Sequence, residues 1–514
     1  MTDAQPRFDL EADVVVVGFG YAGGIAAIEA AEAGARVVLV ERAERPGGIS
    51  VCSAGGLRVA ESTDSAFAYL RATCGGKTPD AVLRALAEGM TTLEPRVRAL
   101  ARIDDAVVSR RPAEGNYPLP GHDTFGFVYV ESVPGFVPER DYPRVEGAPA
   151  GAMLFRLVER NVAARPIEVR LGTRARRLLR DGAGRVCGVR VEGPAGVCDI
   201  GAAGAVVLAC GGFEADPGMQ AMHWPGGPAL SAAYAGNTGD GIRMAQAVGA
   251  DLWHMWHYHG CYGFRHPNPD FPFGIRVKRL PDWRPGGERA LPPMAWILLD
   301  RHGDRFMNEY EPYLQDTGAR PLAHYDPGIQ DFPRVPAFLV VDEAGRRMYP
   351  LGKPTWNDPV ARCHWSEDNR AEIEAGLFTT ADDIAAVAAC IGAPVARVEA
   401  TIAGWNAACE RGEDPDHGRP ADTMVALREP PYHVAPVWPV VSNTQGGPVH
   451  DARQRVLDPF GEPIPGLYAA GELGSAFGHL YMSGGNLAEC FIGGRIAGRA
   501  AAAERDRDGE RRDA

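Results

Sequence analysis

Gly18, Gly20 and Gly23 stand in the spacing G-x-G-x-x-G, and an acid, Glu41, follows about 20 residues further on. Glycines so placed let a turn tighten and let backbone N–H groups approach a pyrophosphate. A carboxylate at that distance accepts from ribose hydroxyls. The chemistry indicated is the holding of a dinucleotide. A second group of reactive residue types lies near the other end, in His479 to Asn486 (HLYMSGGN). There a phenol (Tyr481), a hydroxyl (Ser483) and the pair Gly484-Gly485 stand immediately before the last helical stretch.

Such residues act only where strands and helices hold them. Val14 to Val17 is a continuous β-branched run, the segment after Gly20 is an alanine-rich helix, and Arg36 to Val40 is a second strand ending at Glu41. Strand, glycine turn, helix and strand in this order are the opening of a Rossmann-like unit. Two more glycine doublets follow, Gly47-Gly48 and, after Ser53-Ala54, Gly55-Gly56. An extended cofactor needs several backbone segments to approach without Cβ obstruction, which favours FAD over NAD.

Here the sequence resembles the flavoprotein family of fumarate reductases, succinate dehydrogenases and 3-ketosteroid dehydrogenases. The resemblance rests on these glycine motifs and on Ala209-Cys210-Gly211-Gly212-Phe213, Thr238-Gly239-Asp240-Gly241, Thr444-Gln445-Gly446-Gly447 and Ala469-Ala470-Gly471-Glu472. It implies FAD contacts from Gly18, Gly20, Ala22, Gly23, Glu41, Arg42, Gly47, Gly48, Ser53, Ala54, Gly55 and Gly56. Further contacts are implied for Ala175, Ala209, Gly211, Asp240, Glu472, Asn486 and Leu487. Members that tether FAD covalently carry a histidine between the early doublets. This chain has Ile49, Ser50, Val51 and Cys52 there, so non-covalent FAD is expected.

The totals narrow the field. The net charge of -13, from 66 acidic against 53 basic side chains, argues against nucleic acid as a partner. The 10 cysteines are scattered without a CxxC or a regular framework, as expected of reduced thiols in a cytoplasmic protein. The opening MTDAQPRFDLEAD is polar and acidic, and no apolar run approaches the ~18 residues a membrane span needs. An integral membrane segment is therefore not expected.

The fold class expected is α/β, a Rossmann-like FAD-binding domain of the glutathione reductase type with an inserted α+β substrate cap. Residues 1–261 and 437–503 form the FAD-binding domain, 262–436 the cap, and 504–514 a disordered tail. Within this scheme Leu83, Leu86, Met90, Leu93, Val97 and Leu100 recur at three and four, an amphipathic core helix. The stretch 115–149 has no period and reads as a long surface excursion.

Enzymes that bind two carboxylates need guanidinium forks. In the fumarate subfamily the cap motif G-x-R-F-x-N-E precedes an arginine, a second arginine sits in the final loop, and a histidine precedes T-x-G-G. Gly303 to Glu309 matches the cap motif, but Tyr313, Met482 and Asn443 occupy the other three places. Glu309-x-x-Pro312-Tyr313 and Gly478-His479-x-Tyr481 are instead similar to the 3-ketosteroid dehydrogenases. That resemblance implies Tyr313 as the base for a proton α to a ketone, Tyr481 OH and Gly485 N–H as donors to the ketone oxygen, and hydride transfer to flavin N5. A carbon acid next to a ketone needs such donors, because they stabilise the enolate.

Enzymes of the 1,2 bond tend to show Y-P-G-P-G, whereas Ser483 in Y-M-S-G-G resembles the 4-(5α)-dehydrogenases. The 4,5 bond is therefore favoured. The expected substrate is a small steroid-like ketone, with a quinone or an electron-transfer protein as acceptor. Two other readings stay open. One is a fumarate reductase-like reductase of a conjugated acid or enone, for which Arg265, Arg276 and Arg305 are available, and the other is a flavin-loaded sensor.

Overall fold

The computed structural model describes residues 7–278, 280, 293–310 and 318–512. The chain divides into two compact units. One takes the chain up to Asp216, Gly236–Tyr258 and everything from Asn443, and the other Pro217–Ala235 and His259–Ser442.

The first unit is built on strands Pro463–Ala469, Gly196–Leu208, Leu10–Val17, Val37–Val40 and Ile167–Arg170, neighbours in that order and all parallel. Val14 to Val17 is buried throughout, as a strand covered on both faces must be, which explains why its sequence is continuously apolar instead of alternating. The helix Tyr21–Glu32 follows the glycine turn, and the last helix, Gly485–Arg512, packs against it. The two backbones come close because the last helix carries glycine at the contacts. A Cβ on Gly494 would meet the Ala22 carbonyl oxygen at 2.5 Å, and one on Gly498 that of Ala26 at 2.3 Å. The last helix continues into the segment expected to be a disordered tail.

The amphipathic helix runs Asp80–Ala101 with all six periodic residues buried. One expectation needs correction. The stretch 115–149 contains an eight-residue strand, Phe125–Ser132, which pairs antiparallel with Leu57–Ala60 and Val107–Pro112. Its FGFVYVES alternates β-branched and aromatic residues at period two, a signal that the surrounding prolines and glycines obscured.

The second unit has a mixed sheet in the order Trp296–Leu299, Ala337–Asp342, Tyr432–Thr444, Tyr258–Arg265, Gly274–Val277 and Gly352–Lys353. Leu230–Ser231 pairs with Val440–Val441, which ties Pro217–Ala235 to this unit. The helices Ile384–Ile391 and Val395–Arg411 close a core around Trp405. The α/β class with a Rossmann-like sheet and a second α+β unit is as expected. Among the described residues no single helix is long and apolar enough to cross a membrane.

Candidate active site

The glycine turn sits at the carboxyl ends of three parallel strands. Gly18 N donates to Val40 O, and Ala209 N to Val17 O, both at 2.8 Å. Gly18, Gly47, Gly48, Gly55 and Gly211 all take positive φ, so each of these predicted positions is a turn. Gly20 caps the first helix without a side-chain cap, and the first helical turn holds no acidic residue. Such an end leaves N–H groups and a positive partial charge for an anion. A pyrophosphate fits there.

Glu41 is buried and accepts from Phe19 N and Ala43 N, both at 2.8 Å. Burial raises its carboxyl above the ordinary range against those two N–H donors. Arg42 donates to Gly236 O and Thr238 Oγ1 and faces Asp240, which Arg174 grips through two 2.7 Å bonds. Ala175 follows Arg174 in a strand next to this network. The predicted Ser53 joins Tyr21 OH at 3.2 Å, and Tyr21 OH donates to Gly151 O.

A second cluster surrounds Glu472. Thr444 N donates to its Oε1 at 2.8 Å, and Asn237 Nδ2 reaches both Glu214 Oε1 (2.7 Å) and Glu472 Oε2 (3.3 Å). Burial, then the neighbouring charge of Glu472, pushes Glu214 well up, and burial raises Glu472 to about 7. The pair retains a proton that two separate carboxyls would lose. Asn486, in the first turn of the last helix, donates to Gln445 Oε1 and Ser475 Oγ, whereas its buried Oδ1 has no partner among the described residues. An acceptor left open there fits a ligand that brings its own donor, as the flavin ring system does.

The run from Ser475 to Gly485 is pinned from several sides. Glu489 accepts from Ala476 N (2.6 Å) and Ser475 Oγ (2.7 Å), Thr78 donates to Ala476 O (2.7 Å), and His254 Nδ1 meets Ser475 O at 2.8 Å. Asn116 Oδ1 accepts from Ser483 N at 2.8 Å, and buried Arg58 donates to Ser483 O at 2.9 Å and Glu114 O, with Phe127 beneath its guanidinium. Tyr481 is therefore half-buried on a stiff loop. Gly485 N donates to Met482 O at 2.8 Å, so its expected role as a ketone donor requires that N–H to be shared.

A family model described as FAD binding domain matches residues 13–487. The chain belongs to the FAD binding domain family. It is an FAD-dependent oxidoreductase, and FAD is its cofactor. Among relatives of this FAD binding domain protein, a fumarate reductase (cytochrome) of Shewanella frigidimarina is 26% identical over 501 residues, covering 95% of this chain and 77% of the relative. A 4-oxocyclohexanecarboxylate 2-dehydrogenase of Sinomonas cyclohexanicum is 26% identical over 565 residues, covering 96% and 93%. The crystal structure of a 3-ketosteroid delta1-dehydrogenase from Sterolibacterium denitrificans superimposes with a TM-score of 0.77 at 22% identity, covering 96% and 99%.

Arg305, Tyr262, His254 and Arg265 serve contacts within the protein itself. Tyr313 falls within 311–317, outside the described residues. Arg305 is not open to a ligand: it grips Glu309 and Asp414 in the core of the second unit with Trp405 under its guanidinium. Tyr262 is fully buried and accepts from Trp296 Nε1, which makes it a packing group. His254 holds backbone carbonyls, and Arg265 stacks on Trp438. Arg58, Asn116, Glu214, Asn237 and Glu489 belong to none of the sequence motifs. The only signal for Arg58, Glu214 and Glu489 was a charged residue inside an otherwise apolar strand, turn or helix, and the neutral Asn116 and Asn237 carried none.

The raised carboxyls give a pH dependence. Burial raises Glu489 from 4.5 to about 7. In flavin-free protein its contribution is complete below the unfolded value and is lost as pH rises towards 7. Glu489→Gln should therefore gain stability relative to wild type between pH 5 and 8, by up to about 3 kcal/mol. Urea unfolding across that window checks it. A difference that shrinks with rising pH contradicts the assignment.

Proposed function

We propose that this flavoprotein desaturates the α,β bond of a ring ketone, with 3-ketosteroids included in the class. The observation that carries the reading is Met482. At the place where the fumarate subfamily holds an arginine, this side chain is 0% exposed and packed in the core. Asn443, in the histidine's place, is neutral. Beside Met482 the half-buried phenol of Tyr481 is a donor for a neutral carbonyl oxygen. With that oxygen held, the α-proton becomes acidic enough for Tyr313 to take. FAD, when bound, would supply the two-electron acceptor for the β-hydrogen that desaturation requires. The chain's own part is to orient the ketone, hold its oxygen and move one proton. Gly18, Gly20, Glu41, Asp240, Glu472 and Asn486 hold the cofactor without a covalent link.

Preference for the 4,5 bond is supported by the turn at Gly484, whose φ is 72°. Proline, locked near -65°, cannot adopt it, so the loop differs in backbone from a Y-P-G-P-G loop. Of the arginines available to the reductase reading, Arg305 is committed to Glu309 and Asp414 and Arg265 stacks on Trp438, whereas Arg276 donates to the hydroxyls of Ser442 and Thr355. Anaerobic mixing of the holoenzyme with a saturated 3-ketosteroid and with 4-oxocyclohexanecarboxylate tests the proposal. Loss of the visible flavin band and a 4-ene-3-ketone from the steroid are expected. No bleaching by any ketone, with reoxidation of chemically reduced enzyme by fumarate, overturns it.

A further inference from the structure

Glu214 has no exposed surface and follows the Gly211-Gly212 turn that leaves the parallel strand Gly196–Leu208. Its neighbour Glu472 is half-buried, and the whole cluster lies in the first unit. A Cβ on Gly212 would meet Glu472 Oε1 at 2.8 Å and Glu214 Oε2 at 3.1 Å, so one point of the turn faces both acids. Asn237 Nδ2 spans their other oxygens, at 2.7 Å from Glu214 Oε1 and 3.3 Å from Glu472 Oε2. The two carboxyls also hydrogen-bond each other. Ionised carboxylates only accept, so that bond requires a proton on one of them.

Glu472 is the better seat for the negative charge. Thr444 N donates to it at 2.8 Å, Thr444 Oγ1 at 3.4 Å, and Gly212 N donates as well, and donors to a carboxylate favour its ionised form. Glu214 lies deeper, and burial followed by the charge of Glu472 pushes its carboxyl well up. The proton therefore belongs to Glu214, which donates to Glu472. On the last helix Glu489 and Cys490 also feel the Glu472 charge, and both are raised first by burial.

We propose that Glu214 is a cofactor-positioning residue, a neutral acid whose O–H fixes the Glu472 carboxylate for FAD, so that loss of its proton loosens the cofactor. The inference rests on Glu472 as a cofactor contact and is independent of the ring-ketone reading. FAD brings a doubly negative pyrophosphate, and a cofactor that contacts Glu472 takes water from it. A second ionised carboxyl beside Glu472 then costs more than in flavin-free protein. The FAD-bound protein thus holds the Glu214 proton more tightly. The sign follows: affinity for FAD weakens as pH rises, by up to about tenfold per pH unit for one linked proton.

The test starts from FAD-loaded enzyme diluted at a series of pH values, with released FAD read by its fluorescence. Wild type should lose at least about tenfold in FAD affinity between about pH 7.5 and 9.5. Glu214→Gln, whose amide can donate to Glu472 throughout that range, should change by less than about threefold. Glu214→Leu has no donor and should bind FAD at least about tenfold more weakly at every pH. Titrating FAD back in two buffers of different ionisation enthalpy counts protons, and wild type should take up more of them than Glu214→Gln. Melting temperatures report whether each variant folds. A flat wild-type profile, or a fall of equal size in Glu214→Gln, overturns the role of Glu214 and leaves Glu472 as a contact. Glu472→Gln tests that contact separately: FAD affinity within about twofold of wild type removes Glu472 from the cofactor site, and the inference with it.

Discussion

Phenylalanine at position 481 is expected to slow anaerobic flavin reduction by a ring ketone at least tenfold, and up to about 1000-fold, while FAD stays bound. Loss of one preorganised donor to a developing oxyanion typically costs that much in rate. The substitution removes one O–H and keeps the ring that fills the half-buried site. The loop keeps the anchors at Ser483, tied to Asn116 and Arg58, and at Ala476, tied to Glu489 and Thr78. Stopped-flow absorbance gives the rate, and the flavin spectrum before mixing shows that cofactor is retained. A rate within about twofold of wild type would place the carbonyl donor on another residue.

Removing the Glu309 side chain should have the largest effect on stability. Its carboxylate accepts from Leu298 N (3.0 Å), from Arg305 Nε and NH2 (3.0 and 2.7 Å) and from Arg419 NH1 (3.4 Å), with no exposed surface. Burial alone would raise this carboxyl, but Arg305 and then Arg419 bring it below the ordinary range. Glu309→Ala leaves two guanidiniums over Trp405 with Asp414 as the remaining acid of the cluster. Breaking a buried pair in this way costs about 3–5 kcal/mol, a fall in melting temperature on the order of 10 °C. Glu309→Gln should fall between, because its amide oxygen can still accept from Leu298 N. A Glu309→Ala enzyme melting within about 2 °C of wild type would show that the cluster contributes little.

The FAD-binding half was legible because its demands are on backbone. A turn that must reach positive φ at Gly18 or Gly211, or a strand that must be buried on both faces, leaves a residue-by-residue imprint. The strand Phe125–Ser132 was overlooked because its period-two signal spans only 8 residues among turn formers. Side-chain partnerships left weaker traces. Gly303 to Glu309 matches a motif of the fumarate subfamily in letters, yet Arg305 and Glu309 serve each other and the core. What a guanidinium faces depends on residues such as Asp414, far along the chain, and spacing does not reveal that. Arg58 and Asn116 illustrate the same limit, since both reach the final loop from more than 350 residues away.

The interlocked glycine contacts between the first helix and the last bear on how this enzyme folds. About 450 residues separate Tyr21–Glu32 from Gly485–Arg512, and a ribosome adding about 5–20 residues per second needs roughly 20–90 s to cover them. During that interval the nascent dinucleotide turn lacks the partner against which Ala22 and Ala26 pack. The alanine face of the first helix therefore gains its packing partner only once the last helix has been made.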